Sequence, residues 1–237
     1  MNIKASLNTN KYTLPFQGVN NEAGVNVGVN GTNADLQRSP QKDTFEMSIG
    51  YVNDIHGQTN NMMRILSGIK GDLRLSAGDN DIGDEKNAGV RKATTTFLNI
   101  AGIHASALGN HELDTHQRDC ANAIDNFNGK FLSVNYKQKP LEEHSEEEIE
   151  QLGLADLDKH VKKSTVVEIK GEKIGIIGAS PMDMFQRLSH PNYYQDSKID
   201  SLEETIEEIQ EEIDELKEQG VNKIVLLSHL GYKTDKL

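Results

Sequence analysis

The sequence predicts an α/β protein. From Phe45 onward, short β-rich runs alternate with helical ones. Several of those runs end in Gly, Asp, Asn or His, where a strand hands over to a loop. One long segment near the C-terminus carries a clear helical stripe. Strands are predicted at 46–52, 73–77, 103–108, 131–134, 164–169, 173–178 and 223–228. Helices are predicted at 60–69, 86–101, 115–127 and 201–219. In the last of these, Leu202, Ile206, Ile209, Ile213 and Leu216 recur at spacings of four and three on an acidic background. Ser201 with Glu204 fits a capping box there, and Gly220 fits a stop. Residues 141–163, strongly acidic at their start, read as a surface excursion with a short helix. His144 and His160 within it read as exposed.

Residues 1–43 look different. The run GVNNEAGVNVGVNGTN has neither helical nor strand period, and Asn and Gly favour turns. The stretch is expected to be disordered or a loosely attached tail, leaving 44–237 as one domain. Of the 237 residues, 35% are hydrophobic, enough for a core, and 26% are charged. The net charge of -12 repels polyanions, which argues against binding a nucleic-acid polymer through a basic face. An anionic substrate then needs a local positive centre, and bound metal supplies one. Cys120 is the sole cysteine, so no intrachain disulfide forms. No run of 18 apolar residues is present, so no membrane span is expected. The first residues lack the apolar centre of a secretory signal.

Four motifs at predicted strand ends carry the chemistry. In NDIHG, Asp54 and His56 are two apart on an extended segment, so their side chains point the same way. They can converge on one metal, although Asp-x-His alone fits a solvated turn equally well. In AGDNDIG, Gly78 permits a tight turn. The two oxygens of Asp79 suit a bridge between ions about 3.5–4 Å apart. In LGNHELD, Asn110 offers a neutral oxygen, and His111 can point at substrate. Asp114, three residues on, can hold the His111 ring and raise its pKa. Two polar residues directly after an apolar strand are costly unless they are solvated or serve a site. In LLSHLGY, His229 follows a strand; alone, such a histidine is more often structural. Together the motifs fall at strand carboxyl ends, where α/β sheets place their sites. Their mixed nitrogen and oxygen set suits two divalent ions of the Mn, Zn, Fe or Co class.

Asp54-Ile55-His56, Gly78-Asp79, Gly109-Asn110-His111-Glu112 and Ser228-His229-Leu230-Gly231 resemble the calcineurin-like metallophosphoesterase superfamily. The sequence is most similar to its 5′-nucleotidase branch, which includes UDP-sugar hydrolases and cyclic-nucleotide phosphodiesterases. The runs FLSVN, KIGIIGAS and GVNKIVLLSHLGY match connecting strands of that branch, and the resemblance covers residues 47–232. It implies a four-layer αββα sandwich. It also implies Asp54 and His56 on one metal, Asp79 bridging, and Asn110 and His229 on the second. His111, paired with Asp114, would stabilise the transition state or protonate the leaving oxygen. The implied reaction is attack on phosphorus by water that two metals activate.

The family pattern adds a Gly-His-x-His motif some tens of residues after SHLG, and a C-terminal domain that binds the nucleoside. Neither is present before Leu237. The expectation is therefore a domain incomplete at its C-terminus, weak or inactive by itself, with its substrate domain missing. His104, His160 and His190 are not expected to substitute for the last ligands. The expected function is metal-dependent hydrolysis of a small phosphate ester, above all a nucleotide 5′-phosphate. A phosphodiesterase or pyrophosphohydrolase of the same superfamily stands beside it. So does a non-catalytic binding protein that keeps the fold.

Overall fold

The computed structural model describes residues 8–14, 45–58, 61, 64–65, 68–81 and 88–236. The first sheet contains β1 (Asn8–Leu14), β2 (Phe45–Val52), β3 (Leu73–Ser76), β4 (Ala105–Ala107) and β5 (Lys130–Leu132), in that spatial order. Strands β2 to β5 run parallel, while β1 adds antiparallel to β2. Parallel neighbours need long crossovers. Helices α1 (Ala88–Ala101) and α2 (Gln117–Asp125) lie in two of them. Beyond β5, β6 (Tyr136–Gln138) leads to the short helices α3 (Glu146–Leu152) and α4 (Leu157–His160).

Strands β7 (Ser164–Ile169) and β8 (Glu172–Ala179) form a hairpin. Its two-residue turn, Lys170 and Gly171, has φ of 52° and 80°, the left-handed pair that matches strand twist. Strand β9 (Ser197–Ile199) pairs antiparallel with β6. Helix α5 (Leu202–Glu218) then crosses to β10 (Lys223–Ser228), which lies parallel to β8. The second sheet thus has the order β10-β8-β7.

Strand alternation sorts the side chains into layers. Met47, Leu73, Leu75, Ala105, Ala107 and Leu132 of the first sheet meet Ile169, Ile174, Ile176 and Leu227 of the second. On β8, Ile174 and Ile176 enter that core. Ile177 and Ala179 turn the other way, to Leu216 and Val221 beside α5. On the far face of the first sheet, Phe97, Leu98 and Ala101 of α1 pack with Cys120, Ala121 and Ile124 of α2. The order helix, sheet, sheet, helix matches the α/β layering the sequence implied.

The two sheets pinch together at one seam. The Val134 N–H donates to Gly178 O at 2.9 Å, and the Gly178 N–H to Lys163 O at 3.1 Å. A Cβ on Gly178 would lie 2.3 Å from Leu132 Cβ and 2.4 Å from its carbonyl. Backbone cannot swing aside as a side-chain tip can. We expect Gly178→Ala to destabilise the fold by ~2 kcal/mol or more, as overpacking does. A urea midpoint shift worth less than ~0.5 kcal/mol would contradict this packing.

Each predicted strand corresponds to an observed one. β1, β6 and β9 have no predicted counterpart: β1 falls in the stretch expected to be a loose tail, and three residues each in β6 and β9 are too few to show a period. The predicted helix 60–69 falls partly outside the described residues. So does most of 1–43, including the Gly/Val/Asn run, although Asn8–Leu14 within that stretch joins the sheet. Two expectations need correction. His144 and His160 are half-buried rather than exposed, with His144 Nε2 3.7 Å from Asp196 and His160 Nδ1 2.6 Å from Asp125. On α5, Ile206 is 53% exposed, while Thr205 and Glu212 are buried. Ser164 Oγ donates to Glu212 Oε1 at 2.8 Å, so a polar residue occupies the inner face there. The capping box at Ser201 and Glu204 is present, and Gly220 has a left-handed φ of 78°. Among the described residues no helix is long and apolar enough to cross a membrane.

Candidate metal centre

The loops leaving β2 and β3 are laced together beyond the strands. Asp54, His56 and Gly57 donate their N–H groups to the carbonyls of Gly78, Asp79 and Asn80, at 3.1, 3.1 and 2.8 Å. This continues the β2–β3 pairing into the loops and sets Asp54 and His56 beside Asp79. Asp54, His56 and Asp79 all have left-handed backbones, with φ of 52°, 48° and 53°, so Asp54 and His56 come together through a bent loop and not on the extended segment the sequence suggested. Such strain in residues with a Cβ collects at functional sites. Gly109 lets the next loop press in, because a Cβ there would lie 2.3 Å from Asp79 Oδ1.

Asp79 is buried at the centre. Its Oδ1 accepts the His111 N–H at 3.0 Å, and its Oδ2 lies 3.3 Å from His229 Nε2. His229 Nδ1 faces Ala77 O at 2.5 Å and must donate to it, which leaves Nε2 as the ligand atom. Burial opposes protonation of His229, but Asp79 outweighs it and raises the pKa to about 9. A cation bound at Nε2 would take the place of that proton. The Asp54 carboxyl is held below its ordinary range by hydrogen bonds from His56 and Asn53. Asp54 Oδ1 lies 3.4 Å from His56 Nε2, and Asn53 Nδ2 donates to its other oxygen.

His111 Nδ1 pairs with Asp114 Oδ2, and Asp114 is fully buried. The second oxygen of Asp114 accepts the Ser189 N–H at 2.6 Å. That pairing raises the His111 pKa against burial, and it aims Nε2 away from Asp114. The His111 and His56 rings meet edge to face at 4.7 Å.

The structure brings six of the seven predicted site residues into two ligand groups or the dyad attached to them. His56, Asp79 and His111 form one group, and Asp54, Asp79 and His229 the other, with ligand atoms within 4.8 Å in each. Asp79 is common to both. Asp54 stands with His229 and His56 with His111 in these groups, and Asp54 and His56, which the resemblance implied on one ion, lie 3.4 Å apart. Asn110, the seventh, is 2% exposed, and its Oδ1 is buried without a hydrogen-bond partner. An orphaned neutral oxygen next to His111 is costly unless something coordinates it. The donor set therefore fits divalent cations. His104, His160 and His190 belong to neither group: His104 accepts the Arg74 N–H at 3.1 Å, His160 faces Asp125, and His190 lies against Tyr193.

Glu112 lies in the Gly109-Asn110-His111-Glu112 motif, but its role is not legible there. Its side chain is buried and accepts four hydrogen bonds. Oε1 takes Asn80 N–H at 2.7 Å and Asn80 Nδ2 at 3.1 Å, while Oε2 takes Asp79 N–H at 3.1 Å and Gly109 N–H at 2.8 Å. It clamps the loop of Asp79 to the loop of Asn110. The available signal was an acidic residue followed by Leu113, in a segment that turns inward. Ser189 was missed, and its contact with Asp114 spans 75 positions.

No family model matches the chain. It is 32% identical over 142 residues to a 5′-nucleotidase of Diplobatis ommata, covering 60% of the chain and 22% of that protein. It is 30% identical over 185 residues to a probable 5′-nucleotidase of Treponema pallidum, covering 78% of the chain and 28% of that protein. Among solved structures, a 5′-nucleotidase precursor of Thermus thermophilus superposes with a TM-score of 0.59 at 25% identity, over 79% of the chain and 38% of that one. A calcineurin-like phosphoesterase of Bacillus subtilis, 15% identical, shares the fold with a TM-score of 0.54, over 78% of the chain and 62% of that one. The chain thus spans about a quarter of the length of these curated relatives.

Proposed function

Since the chain belongs to the 5′-nucleotidase family of metallophosphoesterases, a family of hydrolases, we propose that it supplies the metal-binding part of a phosphate-ester hydrolase active site. The substrate class we infer is a nucleotide 5′-phosphate. One observation carries this reading: a single buried carboxylate, Asp79, belongs to two groups of ligand-type atoms at once, and in one of them His111, held by Asp114, serves as a proton donor rather than a ligand. Two bound divalent cations would supply Lewis-acid charge for a phosphoryl group and lower the pKa of water.

The chain's own residues do the rest. Asp54 and His229 on one side of Asp79, and His56 on the other, hold the centre in place. Asn110 adds an oxygen without adding charge, which keeps the site attractive to an anion. The Asp114 carboxylate fixes the His111 ring, so His111 Nε2 can present a proton to the leaving oxygen of the ester. Residues outside this chain are proposed to complete the ligand set and to bind the nucleoside, because the match covers only 22% and 28% of these relatives.

The test is hydrolysis of p-nitrophenyl phosphate and AMP, on these 237 residues and on any longer form of the chain. We expect EDTA to abolish the hydrolysis and Mn²⁺ to restore it, with the longer form the more active. Inactivity of the longer form with every divalent ion tried, or hydrolysis indifferent to EDTA, would sink the proposal.

A further inference from the structure

Behind the metal centre lies a second cluster of buried charge. Asp81 is two positions past Asp79 on the same loop, and Arg91 is in the first turn of α1. Their side chains are 8% and 10% exposed, and Arg91 Nε lies 3.4 Å from Asp81 Oδ2. Arg91 Nη1, Arg91 Nη2 and Asp81 Oδ1 are all buried, with no hydrogen-bond partner among the described residues. Asp81 and Arg91 line a small cavity together with Asn80, Thr94, Glu112 and Cys120. It has room for about one water, and a buried water needs two to four polar partners. The two guanidinium nitrogens and the carboxylate oxygen are suited to be those partners.

The neighbours of this pair give it a role. Helix α1 is anchored by Phe97, Leu98 and Ala101 in the core. The Asp79 loop is fastened at its inner side to Glu112, which itself lines the cavity. An ion pair from the anchored helix to Asp81 therefore braces the loop from a second direction. Neither Asp81 nor Arg91 belongs to the candidate ligand groups.

We propose that Arg91 is a positioning residue of the metal centre, acting through Asp81 and an enclosed water to hold the loop that carries Asp79. The proposal rests on the reading of Asp79 and Asn110 as metal ligands. Residues that orient a ligand from behind typically alter metal affinity about 10- to 100-fold when removed. A role in the fold alone would change thermal stability and leave affinity as it was.

The experiment titrates the chain with Mn²⁺ by calorimetry and follows the melting of the ion-free protein alongside. Arg91→Met should raise the Mn²⁺ dissociation constant about tenfold or more. Arg91→Lys, which keeps a cation near Asp81, should recover part of that loss. If Arg91→Met does not fold, the paired replacement Asp81→Leu with Arg91→Met removes both buried charges together and is tolerated far better. The same loss of affinity is expected from it. Affinity within twofold of the parent in the folded variant overturns the proposal, as does a dry cavity in a crystal structure that shows ordered water. Asp79→Ala is the control. If it also binds Mn²⁺ like the parent, the metal-ligand reading fails; if it alone loses binding, only the role of Arg91 fails.

Discussion

Asp79→Asn should cut phosphate-ester hydrolysis by ~10³-fold or more. Asp79 is the one residue common to both ligand groups, and its two oxygens face different neighbours, the His111 N–H and His229. An asparagine keeps the shape and one oxygen, so the His111 N–H retains an acceptor and the loop can fold as before. The other oxygen becomes an NH₂ with no lone pair to give. One ligand atom and one negative charge are lost to both ions together. Metal assistance is worth several kcal/mol of transition-state charge stabilisation, and about 4 kcal/mol corresponds to ~10³ in rate. The measurement is the rate with saturating Mn²⁺ in the most active form of the chain, with calorimetric Mn²⁺ affinity beside it. A rate within ~10-fold of the parent would remove Asp79 from the bridging position.

Glu112→Gln should unfold or severely weaken the protein although it alters one atom. Each Glu112 oxygen accepts two donors, from Asn80 on one side and from Asp79 and Gly109 on the other. Whichever way the new amide turns, its NH₂ faces two N–H donors. Those two donors lose their acceptor in a fully buried place. At roughly 1–3 kcal/mol for each unsatisfied buried group, the cost is about 2–6 kcal/mol. That is a large part of a typical domain's total stability, about 5–15 kcal/mol. Burial, and after it the Asp79 carboxylate, push the Glu112 pKa above its ordinary value, against the pull of the hydrogen bonds from Asn80 and Asp79. Urea denaturation of the ion-free chain reads the effect directly. A loss below ~1 kcal/mol would mean that the clamp is not holding the loops.

The sequence made the candidate ligands legible because each lies within a few positions of a strand end. A β-run followed by Asp-Ile-His or Gly-Asn-His needs no tertiary knowledge to be read as a strand handing polar groups to a loop. The α5 cap was legible for the same reason, since Ser201 and Glu204 act within one turn. What could not be read depends on contacts remote in sequence. Glu112 reaches Asp79 across 33 positions, and Ser189 reaches Asp114 across 75. The motif around Glu112 does not say what that side chain holds, and no local pattern marks Ser189. The inner face of α5 was misjudged at Ile206 because hydropathy ranks Ile above Thr and Glu. Glu212 instead finds Ser164 on the second sheet and turns inward. The resemblance implied Asp54 and His56 on one ion, and the structure keeps them 3.4 Å apart while also setting each beside Asp79.

The left-handed backbones of Asp54, His56 and Asp79 have a consequence for how such a site can change over generations. For a residue with a Cβ, that conformation costs roughly 1–2 kcal/mol, and glycine adopts it freely. At all three positions the mutation that most relaxes the chain also deletes a candidate ligand. Selection for stability and selection for chemistry therefore pull against each other at the same three codons. A lineage released from the chemistry would gain by drifting toward glycine there. Aspartate, histidine and aspartate at these three positions are what a working metal site would require in spite of that preference.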